Sequence, residues 1–404
     1  MRKLHRAAAT ALLALSLPLP LSLPLSAAAS DTASRTAFAT TAVASPSVRP
    51  AQAVQLALPR PTGPHAVGRS VVPLVDKSRR DPWVPSSGAR KLMLSVYYPA
   101  HRGSGHPSAY MTTEEAQLML ASQHLEKTVP ARTLSATRTY ARTDARPASG
   151  RYPLVVLSPG FGLPRTTLTL LAEDLASHGY VVATVDHAYE AVGTSFPGGR
   201  TLTCIACDTV KPDQLGIVTA SRAKDLSFVI DELTGRHPAW KYGWLIDPRR
   251  IGMAGHSIGG DSTARTMASD GRVRAGMNMD GAFNVPIPAA GLRGKPFMLL
   301  GNAEHRPGQD GTWDEGWARL DGWKRWLTVS GAHHVSFLDL PVLAAQLGVH
   351  DPAASLSGRR AAQITRRYVG AFFDRHLRGI REPLLDGPSK ANPEVRFELP
   401  HGGV

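Results

Sequence analysis

From residue 153 onward the chain repeats one pattern: short apolar runs without polar alternation, each followed by a helical stretch. Residues 153–157, 180–185, 251–254, 273–279, 297–300 and 326–329 are the apolar runs. Residues 165–178, 215–234, 259–269 and 359–377 are the helical stretches, the last with Ile364, Tyr368, Val369 and Phe372 toward one face. Strands that are apolar on both sides belong in a sheet covered by helices on both faces, and helical crossovers make neighbouring strands parallel. The spacing therefore predicts an α/β fold with a mostly parallel central sheet. In such sheets reactive groups collect at the carboxyl ends of the strands. An earlier β-rich run at 91–98 and a helix over 112–125 complete the predicted elements.

The first residues predict export rather than structure. Arg2, Lys3 and Arg6 precede a mostly Ala/Leu run that ends in Ser26-Ala27-Ala28-Ala29. That order is the three-part pattern of a Sec-type signal peptide, with cleavage after residue 29. Pro18, Pro20 and Pro24 disfavour a retained membrane helix. Residues 30–62 are rich in Ala, Thr, Ser and Pro, which predicts a disordered linker. The catalytic domain is then 63–404. No later apolar run reaches the roughly 20 residues a membrane span needs. The net charge of +14 is spread along the chain rather than gathered in a basic run, so nucleic acid is not an expected partner, though a basic surface favours transient contact with anionic lipid interfaces.

Gly255-His256-Ser257-Ile258-Gly259 is a G-x-S-x-G between a predicted strand and a predicted helix. That setting suits a nucleophile elbow, a turn tight enough to lift a serine hydroxyl above the sheet. A serine needs a base, and the base needs an orienting acid. The expected chain order is Ser, acid, His. His333 and His334 follow the last predicted strand. The acid is Asp280, which ends the 273–279 strand, or Glu304, which follows 297–300; the tighter Met279-Asp280-Gly281 turn favours Asp280. The amides of Ile258 and of Phe161, in the Gly-rich turn after 153–157, are the expected oxyanion donors. No cofactor and no metal is implied.

These residues together look like the α/β-hydrolase fold, and they resemble the secreted, plasma-type platelet-activating factor acetylhydrolases and their bacterial relatives. The resemblance spans roughly residues 63–400. It is carried by PLVVLSPGFG (153–162) with LASHGYVVATVDH (175–187), GHSIGG (255–260), MDGAF (279–283) and HHVSFLD (333–339). It implies Asp280 as the acid, and His334 as the base through an H-x-x-F-x-D stretch shared with Phe337 and Asp339. It also implies a short-acyl lipid ester substrate. Pro159 stands where the family's oxyanion turn normally carries His, so a side-chain role there is lost while a backbone donor at Phe161 survives. Exported lipase- or cutinase-like carboxylesterases and polyester hydrolases share much of the pattern. A catalytically silent binding protein on the same fold is the non-enzyme alternative. Cys204 and Cys207, in the loop before the 215–234 helix, are expected to form a local disulfide in an exported chain.

Overall fold

The computed structural model describes residues 54–349 and 351–399. The expected signal peptide (1–29) and most of the expected linker lie outside the described residues. The strands in chain order are β1 (Ala66–Arg80), β2 (Ala89–Ala100), β3 (His106–Pro107), β4 (Ala141–Thr143), β5 (Tyr152–Ser158), β6 (Val181–His187), β7 (Thr194–Phe196), β8 (Arg200–Leu202), β9 (Ile246–His256), β10 (Val273–Met279), β11 (Phe297–Gly301), β12 (Lys324–Val329) and β13 (Val395–Phe397). The helices are α1 (Thr113–Ser122), α2 (Ala131–Ser135), α3 (Thr169–Ser177), α4 (Ile205–Thr209), α5 (Leu215–Thr234), α6 (Ile258–Ser269), α7 (Gly311–Arg319), α8 (Leu340–Gln346) and α9 (Gly358–Arg378).

One 11-stranded sheet runs in the order β13-β12-β11-β10-β9-β5-β6-β2-β1-β4-β3, and β7 pairs with β8 apart from it. The six strands from β12 to β6 are parallel to one another, and β13 and β2 join at either side antiparallel. The predicted mostly parallel sheet is therefore present, with antiparallel flanks. Successive residues of β5 separate onto its two sides. Leu154 and Val156 join one core with α5 and α6, and Val155 and Leu157 join another with α3 and α9. That two-sided burial is why these strands carry no polar alternation.

The differences from the predicted elements are local. β1 carries Gly68, Pro73 and five charged residues, so it does not read as a strand by composition; it forms because β2 pairs with it along nearly its whole length. β13 is three residues long and gives no periodicity. The predicted 165–178 helix opens as a 3₁₀ turn over Arg165–Leu168 before α3 begins.

The expected linker boundary at residue 62 moves towards the amino terminus. Leu56 and Leu58 are buried in a side cluster with Tyr110, Met119, Leu120 and Val342. Arg138 donates its amide to Leu56 O (2.8 Å), and Leu58 donates to Arg138 O (3.0 Å). Thr62 donates its amide and hydroxyl to Asp174 Oδ1 at 2.8 and 2.9 Å. Two leucines in an otherwise small-residue stretch suffice to dock it. Leu56→Ala or Leu58→Ala should lower stability by about 2–4 kcal/mol, the usual cost of a buried leucine truncation, read by denaturant unfolding.

Candidate active site

β9 delivers the elbow. Ser257 follows it at φ +55°, ψ −128°, a conformation that costs of order 1–3 kcal/mol for a non-glycine residue, and α6 starts at the next residue. The turn closes because its flanking residues lack side chains. A Cβ on Gly255 would lie 2.1 Å from the carbonyl carbon of Gly259, and one on Gly259 would lie 2.1 Å from Ser158 O. The Ser257 amide donates to Met279 O (2.8 Å), which ties the elbow to the end of β10.

Asp280 comes next after β10, buried and itself at φ +61°. Its amide donates to Leu300 O (2.9 Å). Asn278 holds the turn from below, accepting from Gly281 N (3.0 Å) and donating to Gly281 O (2.6 Å), and Trp313 Nε1 donates to the same carbonyl (2.6 Å). The carboxylate accepts from Asn302 N at 2.6 Å, from Asn302 Nδ2 at 3.2 Å and from His334 Nδ1 at 2.7 Å. Burial alone would raise its pKa. The His334 hydrogen bond, the neighbouring imidazole charges and the Asn302 amide outweigh it and hold the carboxyl below the ordinary range.

His334 opens a 3₁₀ turn after β12. Its carbonyl accepts from His256 Nε2 (2.8 Å), and the two rings lie 4.6 Å apart. His256 is buried and stays neutral, its pKa pushed down to about 3 chiefly by burial and then by His334. Asp339 fixes the far end of this loop: its amide donates to Thr167 O (2.9 Å), and its carboxyl accepts from Leu170 N (3.1 Å) and Tyr110 OH (3.2 Å).

The structure thus brings Ser257, Asp280 and His334 to the carboxyl ends of the parallel strands β9, β10 and β12 and joins the last two. The Ser257 hydroxyl is not hydrogen-bonded to His334 in this structure; such contacts often tighten only with substrate bound. The other candidates go elsewhere. His333 Nδ1 lies 2.9 Å from Asp351 Oδ2. Glu304 is exposed and donates its amide to Asn302 Oδ1 (2.6 Å).

The turn with Phe161 is committed on both sides. Gly162 donates to Glu190 O (2.9 Å) and Leu163 to Gly160 O (3.2 Å), while the Phe161 amide has no acceptor among the described residues. Beneath the turn lies a buried ionic cluster absent from the sequence reading. Arg222 donates to Pro159 O (2.5 Å) and to Glu190 Oε2 (2.6 Å). Ser158 Oγ lies 3.1 Å from His187 Nε2, and His187 Nδ1 lies 2.8 Å from Asp225 Oδ2. Arg90 reaches Asp81 (2.9 Å), Glu190 (2.6 Å) and Asp225 (2.8 Å). The visible signal for it was Asp186-His187 with Glu190, polar residues that end an apolar strand. Asn302, His305 and Asp310, behind Asp280, carried no such signal.

The Cys204–Cys207 disulfide is present, with an S–S distance of 2.07 Å. It packs against the same turn: a Cβ on Gly162 would lie 3.6 Å from Cys207 Sγ. Asp280, His305 and His334 each offer one ligand atom within 4.8 Å of the others. Among these groups, His334 Nδ1 and Asp280 Oδ2 lie 2.7 Å apart, a hydrogen-bond separation.

An elbow serine beside a hydrogen-bonded acid–imidazole pair on this sheet defines a hydrolase of the α/β-hydrolase fold, and the comparisons with known proteins agree: this is a carboxylic ester hydrolase. The family model described as "Platelet-activating factor acetylhydrolase, isoform II" matches residues 51–197 and 243–382, and the chain belongs to that family. A probable 1-alkyl-2-acetylglycerophosphocholine esterase of Arthroderma benhamiae is 29% identical over 84% of this chain and 93% of its own. A platelet-activating factor acetylhydrolase of Cavia porcellus is 21% identical over 70% of this chain and 72% of its own. The solved structure of a ferulic acid esterase from Streptomyces cinnamoneus superposes with a TM-score of 0.77 at 43% identity, covering 85% of this chain and 99% of that one. Among the described residues no helix is long and apolar enough to cross a membrane.

The ionic cluster generates a stability prediction. Glu190 and Asp225 are buried, which alone would raise them, but the arginines hold both below the ordinary carboxylate range. A depressed folded pKa contributes stability above the unfolded value of about 4, and that stability is lost as pH falls below it. Arg90→Met should cost about 3–5 kcal/mol at pH 7, because it leaves buried carboxylates unpaired. Its deficit should shrink on acidification, because Glu190 and Asp225 in the folded variant, without Arg90, take up protons at higher pH than they do in the folded wild type, while the unfolded carboxyls are common to both proteins and cancel. Glu173, raised to about 7, and Asp186 and Asp261, each raised to about 6, have the opposite sign but are common to both proteins and cancel in the difference. Denaturant unfolding of both proteins at pH 7 and pH 3.5 checks this.

Proposed function

We propose that the protein is an exported serine esterase that acts through Ser257, His334 and Asp280 on carboxylic esters with short acyl groups, including platelet-activating-factor-like lipid esters. The observation that carries the reading is the 2.7 Å contact between His334 Nδ1 and Asp280, set beside the strained elbow at Ser257. Ser257 Oγ attacks the ester carbonyl while His334 Nε2 takes its proton. Asp280 accepts from the opposite nitrogen, which keeps Nε2 free to act as the base and stabilises the imidazolium. The amides of Phe161 and Ile258 donate to the oxyanion. His334 then passes the proton to the leaving alcohol, and the acyl-enzyme is hydrolysed by a water that His334 deprotonates in turn. Export rests on the Arg2-to-Ala29 segment.

Ser257→Ala should lower kcat by about a millionfold without unfolding the protein, and Asp280→Asn by about ten-thousandfold, because the imidazole loses the group that fixes its tautomer. Glu304→Gln should cost less than about tenfold, since an exposed side chain outside the acid–imidazole contact has nothing to orient. A fluorophosphonate probe should label wild-type protein at Ser257 and leave Ser257→Ala unlabelled. A tenth of the activity surviving in Ser257→Ala, or the reverse order for the two acids, would move the assignment.

The acyl group is tested by a substrate panel. Acetyl to butyryl esters should be turned over faster than chains beyond about ten carbons, and activity should survive chelators. Preference for the long chains, where each buried CH₂ contributes about 0.8 kcal/mol, would point to a lipase-like enzyme instead. The 43% identity to a ferulic acid esterase favours a second reading, in which the acyl group is a hydroxycinnamate. A higher kcat/KM on methyl ferulate than on any acetyl ester would select it.

A further inference from the structure

Behind the triad acid stands a second acid–imidazole pair. His305 Nδ1 lies 2.7 Å from Asp310 Oδ2, and its Nε2 lies 3.9 Å from Asp280 Oδ1. The two Asp280 oxygens therefore face different imidazoles: Oδ2 accepts from His334 Nδ1, while Oδ1 accepts from Asn302 N and faces His305. His305 is held at three points. It stacks on Trp313 with centroids 4.6 Å apart and planes 17° apart. Its carbonyl accepts from Trp326 Nε1 (2.8 Å), and Asp310, as N-cap of α7, is itself held by the amide and hydroxyl of Thr312 at 2.8 and 2.7 Å.

We propose that His305, carried as an imidazolium between Asp310 and Asp280, is a positioning residue that holds the triad acid ionised and oriented and extends activity toward lower pH. This rests on the triad reading above. The groups that face His305 are Asp310 from α7, Asp280 from the end of β10, Glu304 from its own turn, His334 from the loop after β12 and His256 from the end of β9. Three of the five are carboxyls, and His256 is neutral. Burial opposes the charged ring, but the Asp310 hydrogen bond and the charges of Asp280, Asp310 and Glu304 outweigh it. The indole face beneath the ring favours the cation as well. A fixed positive charge beside Asp280 opposes the addition of a second positive charge to the same cluster, so removing it should make the site easier to protonate.

The test is the pH dependence of kcat/KM for wild type, His305→Gln and Asp310→Asn, with histidine ionisation read by NMR on isotope-labelled protein. Removing the cation should move the acid limb of the profile to higher pH by about 0.5–1 unit in His305→Gln, and by less in Asp310→Asn, which keeps the ring and its stack. At a pH on that limb the loss is about 3–10-fold, and on the alkaline plateau the three proteins should converge. The His305 resonance, assigned by its absence in His305→Gln, should titrate above the ordinary imidazole value and fall in Asp310→Asn. A limb that stays in place while activity drops equally at every pH, or a His305 ring already neutral at pH 6, overturns the proposal. The NMR titration is repeated in Ser257→Ala, where no turnover is needed. Activity surviving in that variant sinks the triad reading, whereas a neutral His305 there sinks this one alone.

Discussion

The backbone at Ser257 is held in a conformation that an L-residue avoids, and much of the surrounding architecture is organised to hold it. Its amide is bonded to the end of β10, and its flanks can close only because Gly255 and Gly259 let α6 and the end of β5 approach within contact distance of bare backbone. A side chain at either glycine would force the helix off the sheet. That one constraint links three neighbouring strands. β5 brings the Phe161 turn, β9 brings the serine, and β10 brings Asp280, at heights set by the parallel register that pairs Ser158 with Gly255 and Met279 with His256.

Around this frame the molecule uses charge where a small core would use only apolar packing. Under the Phe161 turn, two arginines and three carboxylates are buried together with His187. A buried ion pair does little for net stability compared with an apolar isostere, because desolvation offsets most of the attraction. What it supplies here is geometry. Arg222 donates to Pro159 O, and Ser158 Oγ lies within reach of His187, so the turn that carries the Phe161 amide is braced from below by directional bonds. On the other side of the site Asn302, Trp313 and Asn278 do the same for the Asp280 turn. Preorganised donors of this kind need no rearrangement as charge develops on a reacting ester. Pro159 offers only a carbonyl, and Arg222 binds it.

The sheet was legible in the sequence because burial on both faces removes the polar alternation from the central strands, and that pattern needs no tertiary information to be seen. The elbow was legible for a related reason: a strand, two glycines around a serine and a helix are a local sequence requirement. Asp280 could be preferred over Glu304 on turn chemistry, and the structure gives the difference a cause. Asp280 sits within hydrogen-bond distance of His334, while Glu304 lies one strand over and faces solvent. Two buried leucines in a small-residue stretch were not enough to mark 56–62 as docked, since a pair of apolar residues has no period.

By itself, the sequence determined the α/β class, the order of the strands that carry the site, the serine and its turn, and the nearness of two cysteines three residues apart. Each of these is a local or periodic property, written in residues close together along the chain. Tertiary structure alone decided which histidine meets which acid, since His334 lies 54 residues from Asp280. It alone showed that Arg90, Glu190, Arg222 and Asp225 converge beneath one turn, and that His305 with Asp310 stands behind Asp280. Such pairings have no sequence period. They arise where the parallel sheet brings the ends of separate strands within a few ångströms, and only a buried, low-dielectric setting makes their charges count.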